Sequence, residues 1–326
     1  MPLGCAAAVV AAMAAVLMKS QGIASENWGW LHLPAAVFPS LHQFLEDEYE
    51  PLVEKHEETC RTTVEEVSPS AYANGTVPSW PTVCRNCVSK EGAKFKVLQL
   101  FGNKRQDRFL PCEMEAKPVL GEMPPCLDVT LNESIKTLNR DKGWLVFTQN
   151  LRGDAGIEEA NLSRSLGAAP ELLKLDEISA SPAVLALSVG NTTPVEDFHS
   201  HFDFFMFFNL AGTKLFQLLP PFFMGRAQVA WSGLSFVSQK CPKTSCIIEV
   251  VLQPGDVLVV DSWWLHRTVP IPSGTPDPAS HMGYGRHLAK RTSLAGQLDN
   301  MAQRLFGPHS WLERLLVGKP VLPPYA

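Results

Sequence analysis

The sequence predicts a mainly β fold with helical cover, a barrel or jelly roll with helices at its N- and C-terminal sides. Three observations predict it. Between Ala183 and Val260 the chain breaks into short apolar runs split by Gly, Pro or polar turns, the pattern of many short strands. Helical periodicity is concentrated before and after that stretch. Of the 326 residues, 45% are hydrophobic and 19% charged, which suits one large domain with a sizeable core.

Taken in order, Leu3 to Met18 is apolar and uncharged, short of the roughly 20 residues a membrane span needs. Gly22-Ile23-Ala24 then offers small residues for cleavage, so 1–24 reads as a secretory signal peptide, although the basic n-region is missing. An uncleaved anchor and a transit peptide are the competing readings. Ser40 to Val53 is helical, with a stripe of Leu41, Phe44, Leu45 and Tyr49 and a capping box from Ser40 and Gln43. Ser68 to Pro81 reads as loop. Phe95 to Phe101 reads as a strand closed by Gly102-Asn103, and Gly121 to Pro125 as loop. No linker long enough for a separate lobe occurs, so 25–143 is expected to pack on the β core as mixed, largely helical cover.

The core is expected over 144–292. Trp144 to Thr148 and Ala183 to Val189 are strands, with short helical pieces at Glu158 to Leu166 and Pro170 to Leu175. Further strands follow at Phe204 to Leu210, Lys214 to Leu219, Ile247 to Leu252 and Val257 to Val260, and Ser273 to Ser280 is a loop. The tail, 293–326, returns to helical period through Leu294, Leu298, Met301 and Leu305.

Net charge is −5, and no basic patch with interleaved aromatics occurs; Arg286 to Arg291 is a short cluster of the kind that solvates a turn or strand end. No nucleic-acid partner is therefore expected. Four sequons, at Asn74, Asn132, Asn161 and Asn191, agree with entry into the endoplasmic reticulum lumen or secretion. After signal cleavage no stable membrane span is expected. Eight cysteines occur, Cys5 in the signal; in an oxidising compartment the rest make up to three disulfides, with connectivity not readable. Cys84-Arg85-Asn86-Cys87 is read as structural disulfide chemistry. Zinc would need Cys241 and Cys246 as a second pair, and a thioredoxin-type site would need a helix that does not follow Cys87 in the pattern.

The chemistry concentrates in His199–Pro221 and Pro254–His266. His199, His201 and Asp203 alternate, so on a strand they share one face. That charged face precedes a very apolar strand, where it costs free energy unless solvated, paired or metal-bound. His266 follows Trp263-Trp264-Leu265 directly after an apolar strand, where a jelly-roll fold-back could return it to the first block. Two or three such side chains from one strand and a distant His from another make a mononuclear metal site with open positions.

These residues resemble a family. Gly212-Thr213-Lys214 with Leu218-Leu219-Pro220-Pro221, and Pro254-Gly255-Asp256-Val257-Leu258 running through Trp263-Trp264 to His266, look like the two signature segments of JmjC-type cupin oxygenases. The resemblance covers about Ala183 to His266. It implies a double-stranded β-helix, Fe(II), 2-oxoglutarate and O2, and hydroxylation or demethylation of a protein or small-molecule substrate. His199 then corresponds to the first iron ligand, His266 to the last, and Lys214 to the cation that pairs with the far carboxylate of 2-oxoglutarate. His201 departs from the pattern by standing where a carboxylate is usual, a departure similar to that of a lumenal, signal-bearing family member. Either three His bind, or Asp203 supplies the carboxylate after a register change, or His201 and Asp203 bind with His199 behind them, or iron binding is lost. Phe205 occupies a slot where many members place Asn for the cosubstrate. An oxygenase, a catalytically silent binding or scaffold protein, and a phytanoyl-type hydroxylase or other metal cupin with Arg286 or Arg291 as anchor are the functional alternatives.

Overall fold

The computed structural model describes residues 31, 39–91, 93–103, 130–137, 144–150, 164–177, 184–190, 197–201, 204–227, 229–231, 236–238, 241–269, 271–275, 277 and 279–288. The expected signal peptide (1–24) and C-terminal helical tail (293–326) lie outside these residues, as do Asp203, Asn161, Asn191 and Arg291.

The chain starts with helix α1, Pro39–Thr59. Strands β1, Glu65–Val67, and β2, Thr82–Cys84, follow. Next come helices α2, Ala93–Phe101, and α3, Leu131–Thr137, strand β3, Trp144–Asn150, helix α4, Pro170–Glu177, and strand β4, Val184–Gly190. Strands β5, His199–Ser200, β6, Phe204–Ala211, and β7, Lys214–Leu219, carry the first histidine block and the segment after it. A short helix α5, Met224–Ala227, precedes β8, Val229–Trp231, and β9, Phe236–Ser238. Strands β10, Ile248–Leu252, β11, Val257–Val260, β12, Leu265–Val269, and β13, His281–Leu288, complete the set.

The strands form two sheets, ordered β1-β2-β11-β6-β13-β4-β3 and β10-β7-β12-β5-β9-β8. Every pairing among them is antiparallel except β1 with β2. Mixed α/β content with two mostly antiparallel sheets is thus the observed architecture. None of the described helices is long and apolar enough to cross a membrane.

Strand β6 shows why the sheets stack. Its residues Phe204 to Leu210 are all buried, as expected where both faces of a central strand are covered. The odd positions Phe205 and Phe207 pack with Phe216 and Leu218 of β7, Val250 and Leu252 of β10, and Trp264, forming the core between the sheets. The even positions Phe204, Met206 and Phe208 pack against Val97 and Phe101 of α2 and Leu172 and Leu175 of α4 on the outer face. Strands β7 and β10 instead alternate buried and more exposed residues, so one face of the smaller sheet is wet.

Two elements differ from expectation. Phe95 to Phe101, expected as a strand, is part of α2. Ala93, Val97 and Phe101 are buried while Phe95 is 71% exposed; a strand would put Phe95 on the same face as the other three, and a helix turns it away. A short apolar run carries no period of its own, and the helical stripe decides it. Ser40 lies inside α1 rather than at its cap, because the helix begins at Pro39; the Gln43 amide donates to Asp47 Oδ1 instead. In addition, β1 and β2 come from the region read as largely helical cover, on either side of the expected loop Ser68 to Pro81, and they extend the larger sheet through β11.

The cysteines resolve in part. Cys60 bonds Cys246, tying the end of α1 to the start of β10, and Cys84 bonds Cys87. Both potential zinc pairs are thereby broken up, and Cys241 is an exposed free thiol. A helix does follow Cys87, contrary to the pattern reading, since α2 begins at Ala93.

The Pro254-Gly255-Asp256 turn is held by Asp256, 2% exposed. Its carboxylate accepts from Arg85 Nη1 at 2.7 Å, Asn86 N at 3.1 Å and Gln253 N at 2.9 Å. Removing it leaves two backbone donors without their acceptor and takes one of two carboxylates from Arg85, which keeps Glu66, so Asp256→Ala is expected to cost about 3 kcal/mol. Urea unfolding followed by circular dichroism measures this, and Asp256→Asn should fall between alanine and wild type.

Candidate metal centre

Strand β5 lies between β12 and β9, with His199 opposite His266 across the β5–β12 pairing. His266 therefore sits within β12, the strand after the turn, and not at the end of the preceding apolar strand. Ser200 is fully buried and points the other way, its Oγ 3.9 Å from Met224 Sδ. His201 returns to the face of His199, as the two-residue period demands. The ring centroids of His199 and His266 are 4.3 Å apart, those of His199 and His201 5.2 Å, and those of His201 and His266 5.3 Å.

One nitrogen from each of the three lies within 4.8 Å of the others. Nitrogens bound at about 2.1 Å to one ion sit roughly 3.0–3.4 Å apart, so rotamer adjustments of about 1.5 Å close the site. The tautomers favour it. His199 Nδ1 lies 3.0 Å from Asp197 O, and His266 Nδ1 lies 3.0 Å from Trp264 O. A carbonyl oxygen can only accept, so in both rings Nδ1 carries the proton and Nε2 the lone pair. Imidazoles that hold metals are oriented by this kind of outer hydrogen bond.

Backbone constraints fix the third ring. Trp263 adopts φ 69°, which is uncommon for a bulky residue, and its N–H donates to His201 O at 2.8 Å. The turn between β11 and β12 is thus clamped onto the segment carrying His201, which sets His266 against it. Asp203, the carboxylate candidate, falls outside the described residues.

Behind the histidines the interior is aromatic. The Phe205 ring lies 4.4 Å from that of His266. Lys214 is 4% exposed, and its Nζ lies 4.5 Å from the Phe207 ring centroid and 5.8 Å from that of Phe216. Lys214, Phe216 and Leu218 are the alternate, buried positions of β7, and Leu218 is the register partner of His266, so the ammonium shares the inter-sheet face with the histidine end. Arg267, on the other face of β12, donates to Gln217 at 2.7 Å and stacks on Phe198.

Sequence reasoning missed His281, at the start of β13. It is 5% exposed, and neither ring nitrogen has a hydrogen-bond partner among the described residues. A buried polar group in that state costs about 1–3 kcal/mol. The space for the ring comes from Gly212, at φ +70°, where an added Cβ would lie 2.4 Å from His281 Nδ1. The first residue of the Gly212-Thr213-Lys214 motif thus serves both the crossing from β6 to β7 and the seating of His281. A histidine after a Pro-rich loop carries no local signal of this.

Burial, and secondarily Lys214, hold His281 below the usual histidine range. The fold therefore favours the neutral ring, while the unfolded chain protonates at about pH 6.5. The stability tied to neutral His281 is full above that pH and is lost as pH falls below it. Wild type should lose thermal stability more steeply than His281→Asn between about pH 7 and 5, as scanning calorimetry would read.

Two sequons fall on described residues. Asn74 is exposed in the turn after Tyr72. Asn132 lies in α3, with its amide donating to Asn103 at 3.2 Å. No protein-family model matches the chain, and no curated protein matches it significantly.

Proposed function

We propose that this chain folds as a JmjC-type double-stranded β-helix and works as a lumenal Fe(II)- and 2-oxoglutarate-dependent oxygenase, a hydroxylase or demethylase of a protein or small-molecule substrate. The observation that carries this reading is the meeting of His266 with His199 and His201, 65 to 67 residues apart in sequence, with two of the three rings held in the metal-binding tautomer. The two orphaned nitrogens of His281 and the buried ammonium of Lys214 support a place for a carboxylate behind the metal.

On this reading His199, His201 and His266 hold the iron, and their neutral rings leave its positive charge uncompensated by protein. That favours an anionic cosubstrate at the open positions, and it shifts preference toward borderline metals compared with a carboxylate-bearing set. Iron so held would supply the oxidising power for inserting oxygen into a C–H bond, with O2 as the oxidant and 2-oxoglutarate as the two-electron co-reductant that leaves as succinate and CO2. The chain's part is to orient. Lys214 attracts the far carboxylate, and the Phe207 and Phe216 rings keep water from it.

The experiment is anaerobic reconstitution of the chain without residues 1–24 with Fe(II), followed by oxygen and 2-oxoglutarate. Succinate formation that requires the metal and is lost in His266→Ala supports the oxygenase. Metal uptake at one ion per chain with no succinate formation favours a second reading, a silent metal-binding scaffold. Phe205 against His266 favours that second reading, because it fills with an apolar ring a place beside the metal.

A lumenal chain would carry glycan at Asn74 and not at Asn132. Expression in secretory cells should give an endoglycosidase-sensitive mass shift that Asn74→Gln reduces and Asn132→Gln leaves unchanged.

A further inference from the structure

We infer that His281 is a specificity-determining residue that, with Lys214, binds the far carboxylate of a 2-oxo diacid. The inference rests on the proposed metal-and-cosubstrate reading and goes beyond it by naming a residue outside the motif resemblance. Four observations support it. His281 is buried to 5% exposure, and both ring nitrogens lack partners among the described residues. Lys214, equally buried, is close enough to act electrostatically on it. The Lys214 ammonium lies over Phe207 and Phe216, in the same inter-sheet core as Phe205, whose ring touches His266. Gly212 is the only residue type that leaves the ring its space.

The geometry sets the size of the ligand. Lys214 stands four residues along β7 from Leu218, which pairs with His266, about 13 Å of strand. A lysine side chain and a five-carbon diacid span that gap between them. A neutral imidazole can donate one hydrogen bond to a carboxylate whose charge the ammonium offsets. Neither group alone would select a dianion over a keto acid with an apolar tail, because a lone buried ammonium also tolerates aromatic faces. The orphaned donor makes the difference, since it gains its partner only when a polar tail arrives.

The test uses the full mature chain loaded with Co(II), with calorimetric titration of 2-oxoglutarate and of 2-oxopentanoate, which lacks the far carboxylate. Wild type should bind 2-oxoglutarate at least about tenfold more tightly. His281→Leu should weaken 2-oxoglutarate by about tenfold or more and change 2-oxopentanoate less than about twofold. His281→Asn, which keeps a donor, should recover part of the loss. A purely packing role would move both acids together, and that result overturns the inference. So does wild-type affinity for both acids in His281→Leu, which would leave the metal reading standing. Co(II) uptake with no binding of either acid by wild type overturns the inference and the oxygenase reading together. Should His281→Leu fail to fold, the Asn variant carries the same comparison, with equal effects on the two acids as the contrary result.

Discussion

His266→Ala is expected to abolish stoichiometric metal uptake. His199 and His201 come from one short segment, and their rings face each other at 5.2 Å. Among the described residues His266, arriving from β12, closes the set, and its Nε2 is directed by the bond from Nδ1 to Trp264 O. Losing an outer hydrogen bond of this kind costs about 10–100-fold in metal affinity, so losing the ligand itself should cost more than about 100-fold. Anaerobic titration with Co(II), read by visible absorption, makes the measurement. His42→Ala, on the partly exposed face of α1, is the control and should bind as wild type does. Circular dichroism separates loss of ligand from loss of fold, because His266 is also a buried residue of β12. Retained one-to-one uptake in a folded His266→Ala chain would remove the three-histidine site from consideration.

Gly212→Ala is expected to be among the most destabilising single changes in the core, by about 3 kcal/mol. The left-handed backbone at φ +70° costs an L-residue roughly 1–2 kcal/mol, and forcing the new Cβ against His281 adds about 1–3 kcal/mol. The two contributions separate in a double-mutant cycle. Combining Gly212→Ala with His281→Ala should recover the steric part and leave the backbone part. Additive losses in the cycle would mean that Gly212 and His281 do not meet. Urea denaturation of the four proteins reads both quantities, and the same series shows whether the Gly-x-Lys turn exists to seat the buried imidazole.

What could be read from the residues follows from how strongly each element repeats its period. Strand β6 was legible because Phe204 to Leu210 is a continuous apolar run, which a strand buried on both faces needs. Strand β7, with its alternation from Lys214 to Leu219, and β11, Val257–Val260, were legible for related reasons. Phe95 to Phe101 was not, because a seven-residue apolar run fits either period until the packing of α2 is known. Strands β1, β2 and β5 are two or three residues long, too short for any period to register. Strand β13 hides behind Gly283 and Gly285. Gly283 has no side chain because the Phe207 ring occupies its place, 2.0 Å from where a Cβ would lie.

The site divides the same way. His199 and His201 announced themselves by alternation and by the apolar strand that follows, and His266 by the motif it ends. That the three meet depends on the pairing of β5 with β12, a long-range contact with no local trace. The position of His266 inside β12 was misread because the strand restarts only after the left-handed Trp263 turn. His281 was invisible because its meaning lies in Gly212 and Lys214, more than sixty residues earlier. The disulfide from Cys60 to Cys246 is equally non-local, joining residues 186 apart.

The most direct measurement is X-ray absorption at the metal edge of the Co(II)-loaded chain. Three imidazole nitrogens at about 2.1 Å, with the outer-shell scattering of three rings, are expected in the wild-type chain, while His266→Ala should retain no stoichiometric cobalt with that shell. A first shell of oxygen alone, or a spectrum that His266→Ala leaves unchanged, would contradict the shared metal centre on which the functional reading depends.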